Sequence, residues 1–148
     1  MTETLTIPAD VTVTRDINAP VARVFALWTD REAVMSWFGM KGTVNHACHV
    51  DPRKGGAWHV EGRSPGGDTY RMEGTFLAFD PPDRIVQSWQ HVAADGTRGN
   101  VTEVEITFAD TQTGTRVRIH HRNIRHTPEL FQQGWTESLD AIEAHLAA

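Results

Sequence analysis

The chain has 148 residues, a usual size for one domain and long enough to bury about 70% of its unfolded surface. Its net charge is −5 and its 14 basic residues are scattered among 19 acidic ones, so it lacks the concentrated positive face that binds nucleic acid. No apolar run approaches the roughly 20 residues of a membrane helix, and residues 1–10 lack the pattern of a signal peptide. We therefore expect a cytoplasmic protein without a nucleic-acid or membrane partner, and the one cysteine, Cys48, excludes an internal disulfide.

Changes in hydrophobic period along the chain predict a strand, two short helices, six further strands and one long helix. The predicted elements, in chain order, are a strand over 11–17, a helix from Pro20, a helix from a capping box at 29–32 to a stop at Gly39, strands over 44–50, 57–62, 70–79, 84–91, 101–108 and 116–122, and a helix with Thr127 as N-cap and Pro128 as its first residue. One domain over 10–148 is expected, preceded by a flexible segment over 1–9.

The short turns between the strands predict an antiparallel sheet, one face of which needs a cover. The last helix is long and amphipathic, with an apolar stripe made of Phe131, Trp135, Leu139, Ile142 and Leu146. The sequence therefore predicts an α+β fold in which a curved sheet of about seven strands surrounds a long C-terminal helix. Within the strand 70–79, apolar residues on both parities predict either a β-bulge near Gly74 or burial on both faces.

Five short motifs, in this order, are shared with a known family. They are Asn18-Ala19-Pro20 with Val24-Phe25 and Trp37-Phe38, then Arg53-Lys54-Gly55-Gly56-Ala57-Trp58, then Gly74-Thr75-Phe76 with Asp80-Pro81-Pro82-Asp83-Arg84-Ile85-Val86 and Ser88-Trp89, then Gly114-Thr115-Arg116-Val117 with His121, and finally Gly134-Trp135 with Leu139 and Leu146. From Val11 to the C-terminus, the chain resembles the family named after the C-terminal domain of the activator of Hsp90 ATPase. That family belongs to the START-like helix-grip (SRPBCC) superfamily.

The resemblance implies the helix-grip fold with two short helices after the first strand, and a cavity of ligand size between the sheet and the last helix. It implies no named reaction, because a fold carries many functions. Since several helix-grip relatives dimerise, the resemblance is also compatible with a homodimer.

Side-chain alternation selects the residues expected to face that cavity. They are Trp37, Phe38, Trp58, Val60, Met72, Trp89, Ile106, Phe108, Ile119, His121, Phe131 and Trp135. The alternative is a solid core made of the same residues. Gly134 costs the last helix about 1 kcal/mol relative to alanine, so we expect a close strand or a cavity mouth to use its missing side chain.

His121 is the candidate catalytic residue, because alternation places it among apolar residues on the inner face. A histidine there can act as an acid–base group near neutral pH, or it can be a core residue bonded to a neighbouring hydroxyl or to Asn123. The histidines and Cys48 raise the question of a metal. The ligand candidates are His46, Cys48, His49, His120, His121 and His126, but their spacing matches no zinc motif, so neither a metal nor a cofactor is predicted.

Three functions follow as hypotheses. The preferred one is binding of a small hydrophobic molecule in the cavity. The second is an enzyme of the cyclase, hydrolase or isomerase type that uses His121. The third is a chaperone-interaction module, which predicts an exposed apolar or charged patch on the outer face of the sheet.

Overall fold

The computed structural model describes residues 4–147. Residues 1–3, which belong to the segment expected to be flexible, lie outside the described part of the chain. The elements are β1 (Ala9–Ile17), α1 (Val21–Ala26), α2 (Arg31–Trp37), β2 (Val44–Val50), β3 (Ala57–Arg63), β4 (Thr69–Asp80), β5 (Arg84–Ala93), β6 (Thr102–Asp110), β7 (Thr115–Ile124) and α3 (Pro128–Ala147). The predicted α+β fold is confirmed, with two short helices after the first strand and a long helix at the end.

The seven strands form one antiparallel sheet in the order β1-β7-β6-β5-β4-β3-β2. Strands β2 to β7 pair with their neighbours in sequence, as short connections favour. Helix α3 covers the inner face and buries Trp135, Leu139 and Ile142 of its apolar stripe. Within residues 4–147, no helix has both the length and the apolarity that a membrane span requires.

The two faces of the sheet differ because polar and apolar side chains alternate along each strand. On β6, Val104 and Ile106 are fully buried, whereas Glu105 lies on the outer face. The Glu105 carboxylate accepts a hydrogen bond from Arg84 Nε at 2.7 Å, and Glu103 pairs with Arg122 at 2.6 Å. The outer face therefore carries charges that are largely paired with one another.

The N-cap of α2 differs from the prediction. The capping box at 29–32 predicts Thr29 as the N-cap, but α2 begins one residue later, because Asp30 accepts a hydrogen bond from the Ala33 amide at 3.1 Å. The Thr29 hydroxyl instead donates to the Ala26 carbonyl at 3.2 Å. The Asp30 carboxylate is as good an N-cap as the Thr29 hydroxyl, and local spacing alone does not decide which of the two residues caps α2.

The β-bulge in β4 lies at Leu77, between Phe76 and Ala78, rather than near Gly74. Leu77 is exposed, while Phe76 and Phe79 both face the core with ring centroids 5.5 Å apart. The extra residue changes the parity of the strand, which brings two aromatic residues of opposite parity to the same face.

Candidate functional site

A cavity of about 810 Å³ lies between the sheet and α3. Its floor is apolar and mostly aromatic, and is made of Phe38, Met72, Trp89, Phe131 and Trp135. Its mouth is formed by the four connections α2–β2, β3–β4, β5–β6 and β7–α3, which supply its polar groups. The space exists because α3 packs most closely against β1 and α2, away from the β4 and β5 side of the inner face.

The predicted ligand-binding residues fall into two groups. Five of them form the cavity floor, namely Phe38, Met72, Trp89, Phe131 and Trp135. The other seven are core residues that do not line the cavity, namely Trp37, Trp58, Val60, Ile106, Phe108, Ile119 and His121. Alternation identifies the inner face correctly, but the inner face contains both the closely packed core and the cavity.

His121 lies fully buried behind the cavity wall, and both of its ring nitrogens have partners. Trp135 Nε1 donates to His121 Nδ1 at 3.1 Å, and His121 Nε2 lies 2.7 Å from the Thr102 hydroxyl oxygen. An indole N–H can only donate, so Nδ1 must be unprotonated and the ring proton lies on Nε2, from which it is donated to Thr102. The alternative of a core histidine bonded to a neighbouring hydroxyl therefore describes this arrangement.

Burial, helped by the neighbouring His120, lowers the pKa of His121 from its ordinary value of 6.5 to about 3. The protonated ring would have to give up its bond from Trp135 in surroundings that cannot solvate the charge. A base with so low a pKa accepts a proton weakly at neutral pH, and the ring does not reach the cavity. The geometry therefore assigns His121 a role in holding Trp135 and Thr102, two residues that line the cavity.

Tyr70 and Asn45 add a polar group to the cavity that the sequence analysis missed. The Tyr70 hydroxyl, on a cavity-lining side chain, donates to Asn45 Oδ1 at 2.6 Å. The Asn45 amide in turn donates to the Met35 carbonyl at 3.0 Å and the Phe38 carbonyl at 2.9 Å. This network holds the end of α2, and with it Phe38, against the sheet. Tyr70 shares the parity of Met72 on β4, so alternation contained the signal for it.

Partial removal from water affects two further ionisable groups that line the cavity. It raises the pKa of the Tyr70 phenol well above its usual range and lowers the pKa of His91. Both shifts favour the neutral form at neutral pH. Trp89 contributes a buried indole N–H that has no acceptor within residues 4–147.

The connection between β7 and α3 forms one side of the mouth and has a strained backbone. Asn123 and Thr127, which bracket it, have φ angles of 64° and 43°, in a region that residues other than glycine rarely adopt. Asn123 is held by two hydrogen bonds of 2.9 Å, one from its amide to the Val101 carbonyl and one from the Asn100 amide to its own carbonyl. The segment 125–127 is therefore presented to the cavity in a fixed conformation.

Gly134 lies on the helical side of the cavity. A Cβ atom built at this position would meet only Met40 Cγ, at 3.6 Å, which is an ordinary contact. No strand approaches closely enough to require a glycine, so the missing side chain widens the cavity.

Replacing Gly134 with alanine should raise the free energy of unfolding by about 0.5–1 kcal/mol, or the melting temperature by about 2–4 °C. The reason is the backbone entropy that glycine loses inside a helix, with no clash to offset the gain. Thermal unfolding followed by circular dichroism tests this, with Gln132→Ala at an exposed position of α3 as the control. A lower melting temperature in Gly134→Ala would contradict the assignment of open space next to this residue.

The predicted metal-ligand candidates do not come together. Within residues 4–147, no three side chains of histidine, cysteine, aspartate or glutamate are placed so that they could hold a metal ion. His49 and His59 are neighbours on the outer face of β2 and β3, with ring centroids 5.8 Å apart. His121 is held by Trp135 and Thr102, while Cys48 is buried.

Solved structures of several bacterial proteins have the same fold as this chain. A protein of Chromobacterium violaceum is 25% identical, with a TM-score of 0.82 over 93% of this chain and 96% of that chain. An AHSA1 protein of Silicibacter pomeroyi is 24% identical, with a TM-score of 0.80 over 94% of this chain and 98% of that chain. A protein of Rhizobium leguminosarum is 21% identical, with a TM-score of 0.84 over 95% of each chain. No protein of curated function matches the chain.

The family model described as "Activator of Hsp90 ATPase homolog 1-like protein" matches residues 18–147. This match spans the motifs from Asn18 to Leu146 and confirms the resemblance that they indicate. The chain therefore belongs to the family of proteins like activator of Hsp90 ATPase homolog 1, within the START-like superfamily.

Proposed function

We propose that this protein binds a small hydrophobic molecule in the cavity between its sheet and α3. The observation that carries the proposal is a space of about 810 Å³ with an aromatic floor and a polar mouth. Small-molecule sites typically measure about 300–1,000 Å³ and combine apolar walls with a few polar groups that orient the ligand.

The rings of the floor are held in place by one another, which supports a binding role. Trp89 stacks on Phe38 with ring centroids 5.0 Å apart and lies 5.2 Å from Trp135. Trp135 is fixed further by its hydrogen bond to His121. A floor that is already ordered loses little conformational entropy when a ligand binds, so more of the interaction energy appears as affinity.

The proposal assigns binding and no reaction. A catalytic role for His121 would require a ring nitrogen that is free to reach the ligand, and both nitrogens are bonded to Trp135 and Thr102. A chaperone-binding patch on the outer face has less support, because the acidic side chains Glu61, Glu73, Glu103 and Glu105 are each paired with an arginine of the same face.

The test uses a neutral fluorescent probe, N-phenylnaphthylamine, whose emission rises in apolar surroundings. The wild type should bind it saturably, and Gly134→Leu should weaken binding about tenfold or more, because the leucine side chain enters the cavity beside Met40. Leucine is a good helix former, so α3 should remain intact, as circular dichroism can verify.

The matched control is Gly134→Ala, which adds one methyl group and should bind the probe within about twofold of the wild type. Saturable binding that Gly134→Leu leaves unchanged would place the probe elsewhere on the protein and overturn the proposal. Absence of saturable binding to the wild type would overturn it as well.

A further inference from the structure

We propose that the ligand is amphipathic and that Arg125, at the mouth of the cavity, binds its anionic head group while the apolar body lies on the aromatic floor. This inference rests on the proposed function and adds the chemical class of the ligand to it. It is drawn from the position, the free donors and the fixed backbone of Arg125.

Arg125 is a half-buried residue of the cavity lining and makes no ion pair with any acidic side chain in residues 4–147. Its Nη1 donates to the Leu5 and Thr6 carbonyls, each at 3.3 Å. Its Nε and Nη2 groups have no acceptor in the same part of the chain. These two atoms point their N–H groups along parallel directions, and that geometry suits two oxygens of one carboxylate, sulfonate or phosphate.

Arg125 differs from the other arginines of residues 4–147, which are either exposed or paired with an acid. The arginines that make no ion pair in this part of the chain are exposed, namely Arg23, Arg31, Arg63 and Arg118. Arg71, Arg84 and Arg122 are each paired with glutamates of the outer face, and Arg15 is paired with Asp140 and Glu143 on α3. A cation that is half removed from water and has no counter-charge gains more from an arriving anion than one that is already paired.

The surroundings of Arg125 also indicate where the two parts of the ligand would lie, with the charged head group at the mouth and the apolar body on the floor. The acidic residues of the mouth, Asp68 and Asp95, do not pair with Arg125, and the Asp95 carboxylate accepts the Thr97 amide at 2.9 Å. The cavity floor carries no charged side chain. An anion therefore has one favourable position, beside Arg125, and burying it deeper would remove its charge from water without a partner.

The backbone holds Arg125 in this position. It lies between the two left-handed residues Asn123 and Thr127, and its carbonyl accepts a hydrogen bond from the Leu5 amide at 2.8 Å. Strained backbone that the surroundings hold in place is typical of binding loops, where it orients a functional side chain. The Nη1 bonds to Leu5 and Thr6 fix one edge of the guanidinium, while the Nε and Nη2 donors of the other edge have no partner in residues 4–147.

The experiment compares two probes with the same aromatic body, anilinonaphthalene sulfonate and neutral N-phenylnaphthylamine. Arg125→Gln should weaken binding of the sulfonate about tenfold and binding of the neutral probe by less than about twofold. Arg125→Lys keeps the charge without the fork and should lie between Arg125→Gln and the wild type. Arg118→Gln, which removes a positive charge from an exposed position of β7, is the matched control and should change neither affinity.

Each outcome decides between the two proposals. If the neutral probe binds in the cavity and Arg125→Gln leaves the sulfonate affinity unchanged, the proposed binding in the cavity stands. The proposal that Arg125 binds an anionic head group is then wrong. An equal loss for both probes would show that Arg125 supports the fold of the mouth and does not recognise charge. If the wild type binds neither probe, the proposed function falls as well. Should Arg125→Gln fail to fold, the Arg125→Lys variant and the salt dependence of the sulfonate affinity in the wild type give the same decision.

Discussion

Gly74→Ala is expected to lower the free energy of unfolding by about 3–5 kcal/mol, a large share of the stability of a domain of this size. A Cβ atom at position 74 would overlap the Ser88 carbonyl oxygen on the neighbouring strand and lie 2.6 Å from the carbonyl carbon. These are backbone atoms, so β4 and β5 would have to separate. Ser88 also accepts hydrogen bonds from the Trp58 indole at 3.2 Å and, through its hydroxyl, from the Thr75 amide at 2.9 Å. Moving Ser88 would disturb both bonds.

Urea unfolding of Gly74→Ala measures this loss. Gly66→Ala is the matched control, because a Cβ atom at position 66 meets nothing within 4 Å and the backbone there is not left-handed. We expect the control to stay within about 0.5 kcal/mol of the wild type. Similar stabilities for the two variants would mean that the two strands are farther apart at Gly74 than in this structure.

The contribution of His121 to stability should depend steeply on pH. The unfolded chain takes up a proton on this ring below its ordinary pKa of 6.5, whereas the folded protein keeps the ring neutral down to its pKa of about 3. The lowered pKa therefore weakens the folded state as the pH falls through this interval, by up to about 1.4 kcal/mol per pH unit. Between pH 7 and pH 5, the loss that comes from His121 should be about 2 kcal/mol.

His121→Gln isolates this contribution. The variant should be less stable than the wild type at pH 7, because the bond from Trp135 is disturbed, but the difference should shrink by about 2 kcal/mol at pH 5. His46→Gln, at an exposed position of β2, controls for the simple loss of an imidazole. In the wild type, ring nitrogen NMR should show the proton on Nε2 from pH 7 to pH 5. A protonated ring at pH 5, or a constant difference in unfolding free energy, would contradict the buried neutral histidine.

The sequence predicted the architecture well because its strongest signals are local. The change from helical to alternating period marks β2 to β7, and Thr127 with Pro128 marks the start of α3. The two errors have different physical causes, one local and one tertiary. Thr29 and Asp30 are neighbouring residues that can both cap α2, and the bulge at Leu77 is fixed by the packing of Phe76 and Phe79 against the core.

The candidate site was predicted less completely. Alternation along the strands selected inward residues, and it could also have selected Tyr70, His91 and Thr102, which share the parity of chosen neighbours. It could not select Arg125, which lies in a connection without a period. Nor could it show that His121 is bonded to Trp135 on α3 and Thr102 on β6.

By itself, the sequence determined the order and type of the elements, the inward face of the strands other than the bulged part of β4, the apolar stripe of α3 and the family of the protein. These properties depend on residues a few positions apart, whose spacing is written in the chain. The tertiary structure alone decided which inward residues line the cavity and which fill the core, and it brought Arg125 to the mouth. The size of the space between the sheet and α3 depends on the curvature of seven strands and on side chains from distant segments, so no local pattern contains it.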